Sequence, residues 1–147
     1  MKILISTLLA LSVMSTSLMA YSKDCEYILT ADINKLTSKD TPCMLKVGLK
    51  EANLSLPLKI DDYTLMTGAT AVGDTILYRF TITNIPDDFN INNLGAAMKP
   101  ITINQVCTTP AIKKFIDLDA KLNYSYYDEK GIFIFEHTVD SKVCSNR

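Results

Sequence analysis

The 147-residue chain holds a single histidine, His137, and no Cys-x-x-Cys pair. Any catalytic dyad or triad would depend on that one imidazole, and no Gly-x-Ser-x-Gly elbow stands ready to present a nucleophile to it. Without a Cys-x-x-Cys knuckle, neither a four-cysteine zinc site nor a redox-active pair is expected, so no metal and no cofactor is predicted. Charge of one sign is missing too. Fifteen basic residues against 16 acidic ones, scattered along the chain, offer nothing to a phosphate backbone, which argues against nucleic acid as a partner. Past the first twenty residues, no apolar run approaches membrane length.

What is present begins with an address. Lys2, an apolar run over residues 3–13 and small residues over 15–20 together read as an export signal, too short and wrongly flanked for a spanning helix. Cleavage is expected after Ala20. Ser22, Lys23 and Asp24 stand where a lipoprotein box would precede Cys25, so the mature chain is expected to carry no lipid anchor. Cleavage removes one charge, Lys2, and leaves 127 of the 147 residues with 14 of the 15 basic ones and all 16 acidic ones. That length fits one domain, residues 21–147, that buries about two thirds of its unfolded surface. The predicted location is the bacterial periplasm or the medium outside the cell.

All four cysteines survive cleavage, and an even count in an exported domain reads as two disulfides. Three connectivities are possible. Pairing Cys25 with Cys43 and Cys107 with Cys144 is expected, because the second bond then clasps a contiguous unit of helix plus hairpin.

The hairpin occupies residues 122–139. Leu122, Tyr124 and Tyr126 alternate with Asn123, Ser125 and Tyr127, the two-residue period of a half-buried strand. Asp128, Glu129, Lys130 and Gly131 form a turn closed by glycine, and residues 132–135 are apolar on both faces, which predicts a place where the sheet is covered on both sides. Glu136 and His137 are expected to emerge at the strand end. A second hairpin is predicted over residues 63–83 about Gly73 and Asp74, with Ile76, Tyr78, Phe80 and Ile82 facing one way and Arg79, Thr81 and Thr83 the other. Helices are predicted over residues 42–53, where Pro42 follows a capping residue and Leu45, Leu49 and Ala52 share a stripe, and over residues 110–118, where Thr109 and Pro110 repeat the signature. Between them Ile91, Leu94, Ala97 and Met98 hold helical spacing, but Pro100 is expected to kink or split the segment. Residues 21–39 show no steady period. The order predicts an α+β fold: a four-stranded antiparallel sheet of two hairpins, with helices packed on one face.

Candidate chemistry is sparse. The acidic pairs Asp61 with Asp62, Asp87 with Asp88, Asp117 with Asp119 and Asp128 with Glu129 each fall at a cap, helix end or turn, where carboxylates serve the backbone. Lys121 breaks a calcium loop at its third ligand. Two carboxylates facing each other across a substrate would make a small extracytoplasmic hydrolase, a reading that requires such a pair in a cleft with at least one raised pKa. The aromatic residues of the hairpin point instead to binding. Tyr124, Tyr126, Tyr127 and His137 are the candidate contact residues, since exposed tyrosines favour protein and glycan partners. The leading functional reading is a non-catalytic accessory, inhibitor or virulence-associated factor whose partner is an envelope or extracellular protein.

Two spaced sets of residues also resemble a known pattern. Asn53, Leu56, Pro57, Ile60, Asp61, Thr64 and Leu65 form one, and Cys107, Pro110, Ile116, Tyr124, Tyr126, Asp128, Gly131 and Cys144 the other. Together they resemble the quorum-sensing-regulated virulence factor-like group of small bacterial exported proteins. The resemblance implies an α+β domain and a periplasmic or secreted place, and it supports the bond between Cys107 and Cys144. It supplies no active-site residue, and Cys25 and Cys43 lie outside its pattern.

Mass spectrometry of unreduced peptides is expected to find Cys25 linked to Cys43 and Cys107 to Cys144. A peptide joining Cys43 to Cys144 would refute the pairing.

Overall fold

The structure, a computed structural model, describes residues 23–86 and 88–146. The predicted export signal lies outside them, as does Asp87. Residues 23–40, which had no readable period, form three short 3-10 helices, Lys23–Leu29, Ile33–Lys35 and Ser38–Asp40. The regular elements are α1 (Thr41–Leu54), β1 (Leu58–Lys59), β2 (Thr64–Val72), β3 (Thr75–Ile82), α2 (Leu94–Thr108), α3 (Pro110–Asp117), β4 (Lys121–Asp128), β5 (Phe133–Val139) and α4 (Ser141–Ser145).

The sheet has five strands in the order β1-β2-β3-β4-β5. This corrects the expected four antiparallel strands in two respects. A two-residue strand, β1, is added beside β2, and β3 and β4 pair in parallel, from Thr75 against Lys121 to Ile82 against Asp128. Both hairpins exist, β2–β3 and β4–β5, but the chain between them passes through α2 and α3. That crossover returns it to the sheet end where β3 began, and a parallel neighbour is the outcome.

Helices cover one face, as the alternation predicted. Leu45 and Leu49 of α1, Val106 of α2 and Ile116 of α3 pack on Ala69, Ile76, Leu122 and Val139. A second cluster joins Phe80, Ile82 and Tyr126 to Leu94 and Met98 of α2. The opposite face carries Arg79, Asn123, Ser125, Tyr127 and Glu136 around a depression, with no helix over it among the described residues. Gly73 at φ 60° and Gly131 at φ 79° take the left-handed conformation their two turns require. Asp128 Oδ1 accepts from the Lys130 and Ile132 amides, at 2.9 and 2.7 Å, and closes the second turn.

Residues 132–135 are not covered on both sides. Ile132 is 61% exposed and Phe133 52%, and strand β5 starts only at Phe133. A register shift pairs Tyr126 with Phe135 but Tyr127 with Phe133, leaving Ile134 as the extra residue of a bulge. The β-branched and aromatic run reflects strand preference rather than a second covering layer.

Covalent and polar ties fasten the periphery. Disulfides join Cys25 to Cys43 and Cys107 to Cys144, the pairing expected. The Thr41 hydroxyl, fully buried at the start of α1, donates to the Leu118 carbonyl beyond the end of α3. Tyr27 donates to Asp40 at 2.6 Å, and Asp40 also accepts from the Thr37 amide at 2.9 Å, so the carboxylate just before α1 sits below its usual pKa.

Pro100 neither splits nor ends its segment: α2 runs unbroken from Leu94 to Thr108. The bond it forfeits is to the Ala96 carbonyl, and Ala96 and Pro100 are both exposed, so water can satisfy that oxygen. Packing of Val106 and Thr102 against the sheet side holds the helix through the defect. Pro100→Ala is therefore expected to stabilise the protein by about 1–3 kcal/mol, since an exposed proline inside a helix costs that order. A urea denaturation midpoint that fails to rise would contradict this account.

Candidate functional site

Aromatic rings on the helix-covered face form a continuous layer. Tyr78 and Tyr124 have centroids 5.3 Å apart, Phe80 stacks on Tyr126 at 5.1 Å, and Tyr126 stacks on Phe135 at 4.4 Å. His137 completes the layer, 5.3 Å from Tyr124 and 5.9 Å from Phe135, with its ring nearly parallel to both. The four candidate residues therefore divide. Tyr124, Tyr126 and His137 come together on the covered face, while Tyr127 lies on the open face with the Arg79 guanidinium 3.8 Å over its ring. His137 does not emerge into solvent. It is 8% exposed, and neither ring nitrogen has a hydrogen-bond partner among the described residues.

Burial sets the chemistry of this layer. It raises the phenol pKa of Tyr78 and of Tyr126, and most of all that of Tyr124, where Tyr78 and Tyr126 add to the effect. It lowers that of His137, and the nearby ammonium of Lys99 lowers it further. These shifts describe a packing layer of neutral rings.

Concave surface flanks the layer at both ends of β3. One groove, of about 270 Å³, lies between α1 and α3 over Ile76, Tyr78, Leu122 and Tyr124. The larger, of about 390 Å³, opens where β3 ends. Its floor is Thr64 and Ile82, one wall is Leu94 and Met98 of α2, and its rim is Tyr63, Ile85, Pro86 and Phe89. Among the described residues, Asp61 is its one charged lining residue. Local backbone chemistry places these groups. Asn84, at φ 53° and so in the left-handed conformation that asparagine tolerates, turns the chain out of β3, and its amide donates to Glu129 Oε1 at 2.9 Å. Across the groove, Asp61 Oδ1 accepts from the Tyr63 amide at 2.8 Å, and the Thr83 amide donates to the Tyr63 carbonyl at 2.7 Å. Tyr63 and Phe89 consequently stand 55% and 45% exposed at the mouth.

The sequence reading missed this groove, because its rim residues lie in connections rather than in periodic segments. Pro86 and Phe89, apolar residues between a strand and a helix, were the one signal available. Among the described residues, the acidic pairs give the hydrolase reading no support. Asp62 pairs with Lys59 at 2.7 Å, Asp117 with Lys113 at 2.7 Å, Asp128 closes its turn and Glu129 holds Asn84. Asp74, paired with Lys121 at 2.9 Å, is displaced below its usual range, as Asp40 is, which is the wrong direction for a general acid. Among the described residues, no group of three His, Cys, Asp or Glu side chains could hold a metal ion, and no helix is long and apolar enough to cross a membrane.

His137 makes stability pH-dependent in a stated direction. Its folded pKa lies below the ordinary 6.5, so its contribution is complete above that value and is lost as pH falls and the unfolded state takes up the proton first. The denaturation-midpoint difference between His137→Phe and the parent is expected to move in favour of the variant between pH 7 and pH 5. A difference that stays constant would rule out this linkage.

No protein-family model and no curated protein matches the chain. Solved structures do match in fold. One is a protein of Pseudomonas aeruginosa described as secreted, with a TM-score of 0.63 and 17% identity over 73% of this chain and 96% of that one. Another is EpsS, the pilotin of the Vibrio vulnificus type 2 secretion system, with a TM-score of 0.61 and 9% identity over 73% of this chain and 94% of that one. A third is AspS, a type II secretion system pilotin of Vibrio cholerae, with a TM-score of 0.61 and 13% identity over 73% of this chain and 94% of that one. At these identities, the likeness is one of fold.

Proposed function

We propose that this protein is a non-catalytic accessory factor of the bacterial envelope that binds another protein through the groove at the end of β3. The observation that carries the reading is the composition of that groove. Among the described residues its lining is mostly apolar, with Tyr63 and Phe89 left in water at its mouth and a single carboxylate, Asp61, at its side. An apolar cleft with aromatic rims and no convergent polar set fits apolar anchor side chains of a partner better than it fits a small polar substrate. The fold shared with two type II secretion pilotins supports a role as an assembly accessory, and the fold shared with a protein described as secreted supports an extracytoplasmic place. Two disulfides support that place as well.

In this reading residues 1–20 are the export signal, and the mature chain is one domain of the periplasm or the medium, akin to the quorum-sensing-regulated virulence factor-like group and virulence-associated in role. The partner presents an amphipathic helix whose apolar face enters the groove, with a basic residue near Asp61. Tyr124 borders the smaller groove and is available to the same partner, with Tyr126 and His137 beside it in the same ring layer. Tyr127 belongs to a contact on the other face.

Capture from an envelope extract, with the oxidised mature chain as bait, is the test. Phe89→Ala and Tyr63→Ala are each expected to reduce recovery of the partner by about tenfold, the loss typical of a central aromatic anchor. Both are expected to leave the denaturation midpoint within about 0.5 kcal/mol of the parent, as surface substitutions do. Undiminished recovery in both variants would overturn the reading.

A further inference from the structure

The two edges of the sheet are built differently. On the β1 side the edge strand is two residues long, follows Pro57 and contains Lys59. A register shift between Met66 and Gly68 breaks β2 behind it, and Asn53 Nδ2 of α1 donates to the Ala69 carbonyl of β2 at 2.7 Å. A short strand, a proline, a lysine and a bulge are the devices that keep an edge from pairing with another chain. The β5 edge has one of them, the bulge at Ile134. Beyond it, residues 135–139 run in unbroken register along β4, from Phe135 against Tyr126 to Val139 against Leu122. β5 holds seven residues with neither proline nor lysine, and among the described residues no strand pairs with its outer side.

Its one charge stands at its centre. Glu136 is the fourth of the seven residues and is exposed on the open face. One carboxylate oxygen accepts from the Ser125 hydroxyl at 3.2 Å, and no basic side chain pairs with it among the described residues. Arg79, in register with Ser125 one strand further in, is turned onto the Tyr127 ring instead. A two-fold pairing of β5 with β5 of a second copy, at full overlap, would set Glu136 directly against its own counterpart. Like charges opposite one another across a strand pair are destabilising, whereas a base at that position is favourable.

The geometry points to the free edge of β5 as a strand-addition site for an extended segment of another protein that places Lys or Arg opposite Glu136, with Glu136 also barring self-pairing. Side chains of the added strand alternate between the two faces. Those on the helix side extend the layer past Phe135 and His137 and are apolar. Those on the open side meet Phe133, Glu136 and Thr138 and are polar or basic. This surface is separate from the groove at Phe89 and Met98, so the two contacts can fail independently.

The test uses the oxidised protein and two nine-residue peptides of alternating Val and Thr, capped at both ends and differing only in a central Lys or Glu. Binding is followed through the protein's amide resonances. The Lys peptide is expected to shift the amides of residues 133–139 and to bind about fivefold tighter than the Glu peptide, the swing of one cross-strand charge pair. Glu136→Lys is expected to invert that preference. Glu136→Val is expected to sediment as a dimer where the parent is monomeric. No binding, a preference that Glu136→Lys leaves unchanged, shifts centred on Phe89 and Met98, or a monomeric Glu136→Val would each overturn the proposal.

Discussion

The parallel pairing of β3 with β4 governs the rest of this structure. Two central strands that run the same way oblige the intervening chain to travel back along the sheet, and here that chain folds into α2 and α3 on the way. Both helices land on the face where Ile76, Phe80, Leu122 and Tyr126 point, and α1 takes the remainder of it. With every long helix committed to one side, no helix among the described residues covers the other, which mixes Arg79, Ser125 and Glu136 with Leu77 and Tyr127. The grooves follow from the same arrangement. They lie at the two ends of β3, which the helix layer does not fully cover.

Most of the local structure was legible from residues that act over short distances. Pro42 and Pro110 at helix starts, Gly73 and Gly131 at turns and the alternation through Tyr78 and Tyr124 each announce a conformation that the chain adopts. What escaped was long-range or cooperative. Strand direction across the crossover is set by how α2 and α3 pack, and no residue of either hairpin encodes it. The continuity of α2 through Pro100 likewise depends on tertiary packing by Val106 outweighing one lost bond. At residues 132–135 the pattern misled because strand preference and burial draw on the same residue types.

The candidate contact residues were half legible for a related reason. Periodicity placed Tyr124 and Tyr126 together and Tyr127 apart, as the sheet has them. It also had His137 emerge at the strand end, yet the side chain points inward and stacks on Tyr124, Tyr126 and Phe135. A sequence shows which face a strand residue takes. It does not show whether a helix will lie over that face, and α2 passes close enough here that a methyl group on Gly95 would meet the Phe135 ring at 3.2 Å.

The two disulfides share a placement whose effect is mechanical. Each ties one end of the chain to a helix, Cys25 to α1 and Cys144 to the last turn of α2, and neither crosses the sheet. Tension applied at the termini passes across the bond between Cys107 and Cys144, so α3, β4 and β5 between those cysteines carry none of it, while the chain from Cys43 to Cys107, with β2 and β3, does. A protein tethered or pulled by its ends would keep β5 and its open edge on β4 under loads that would otherwise peel β5 away.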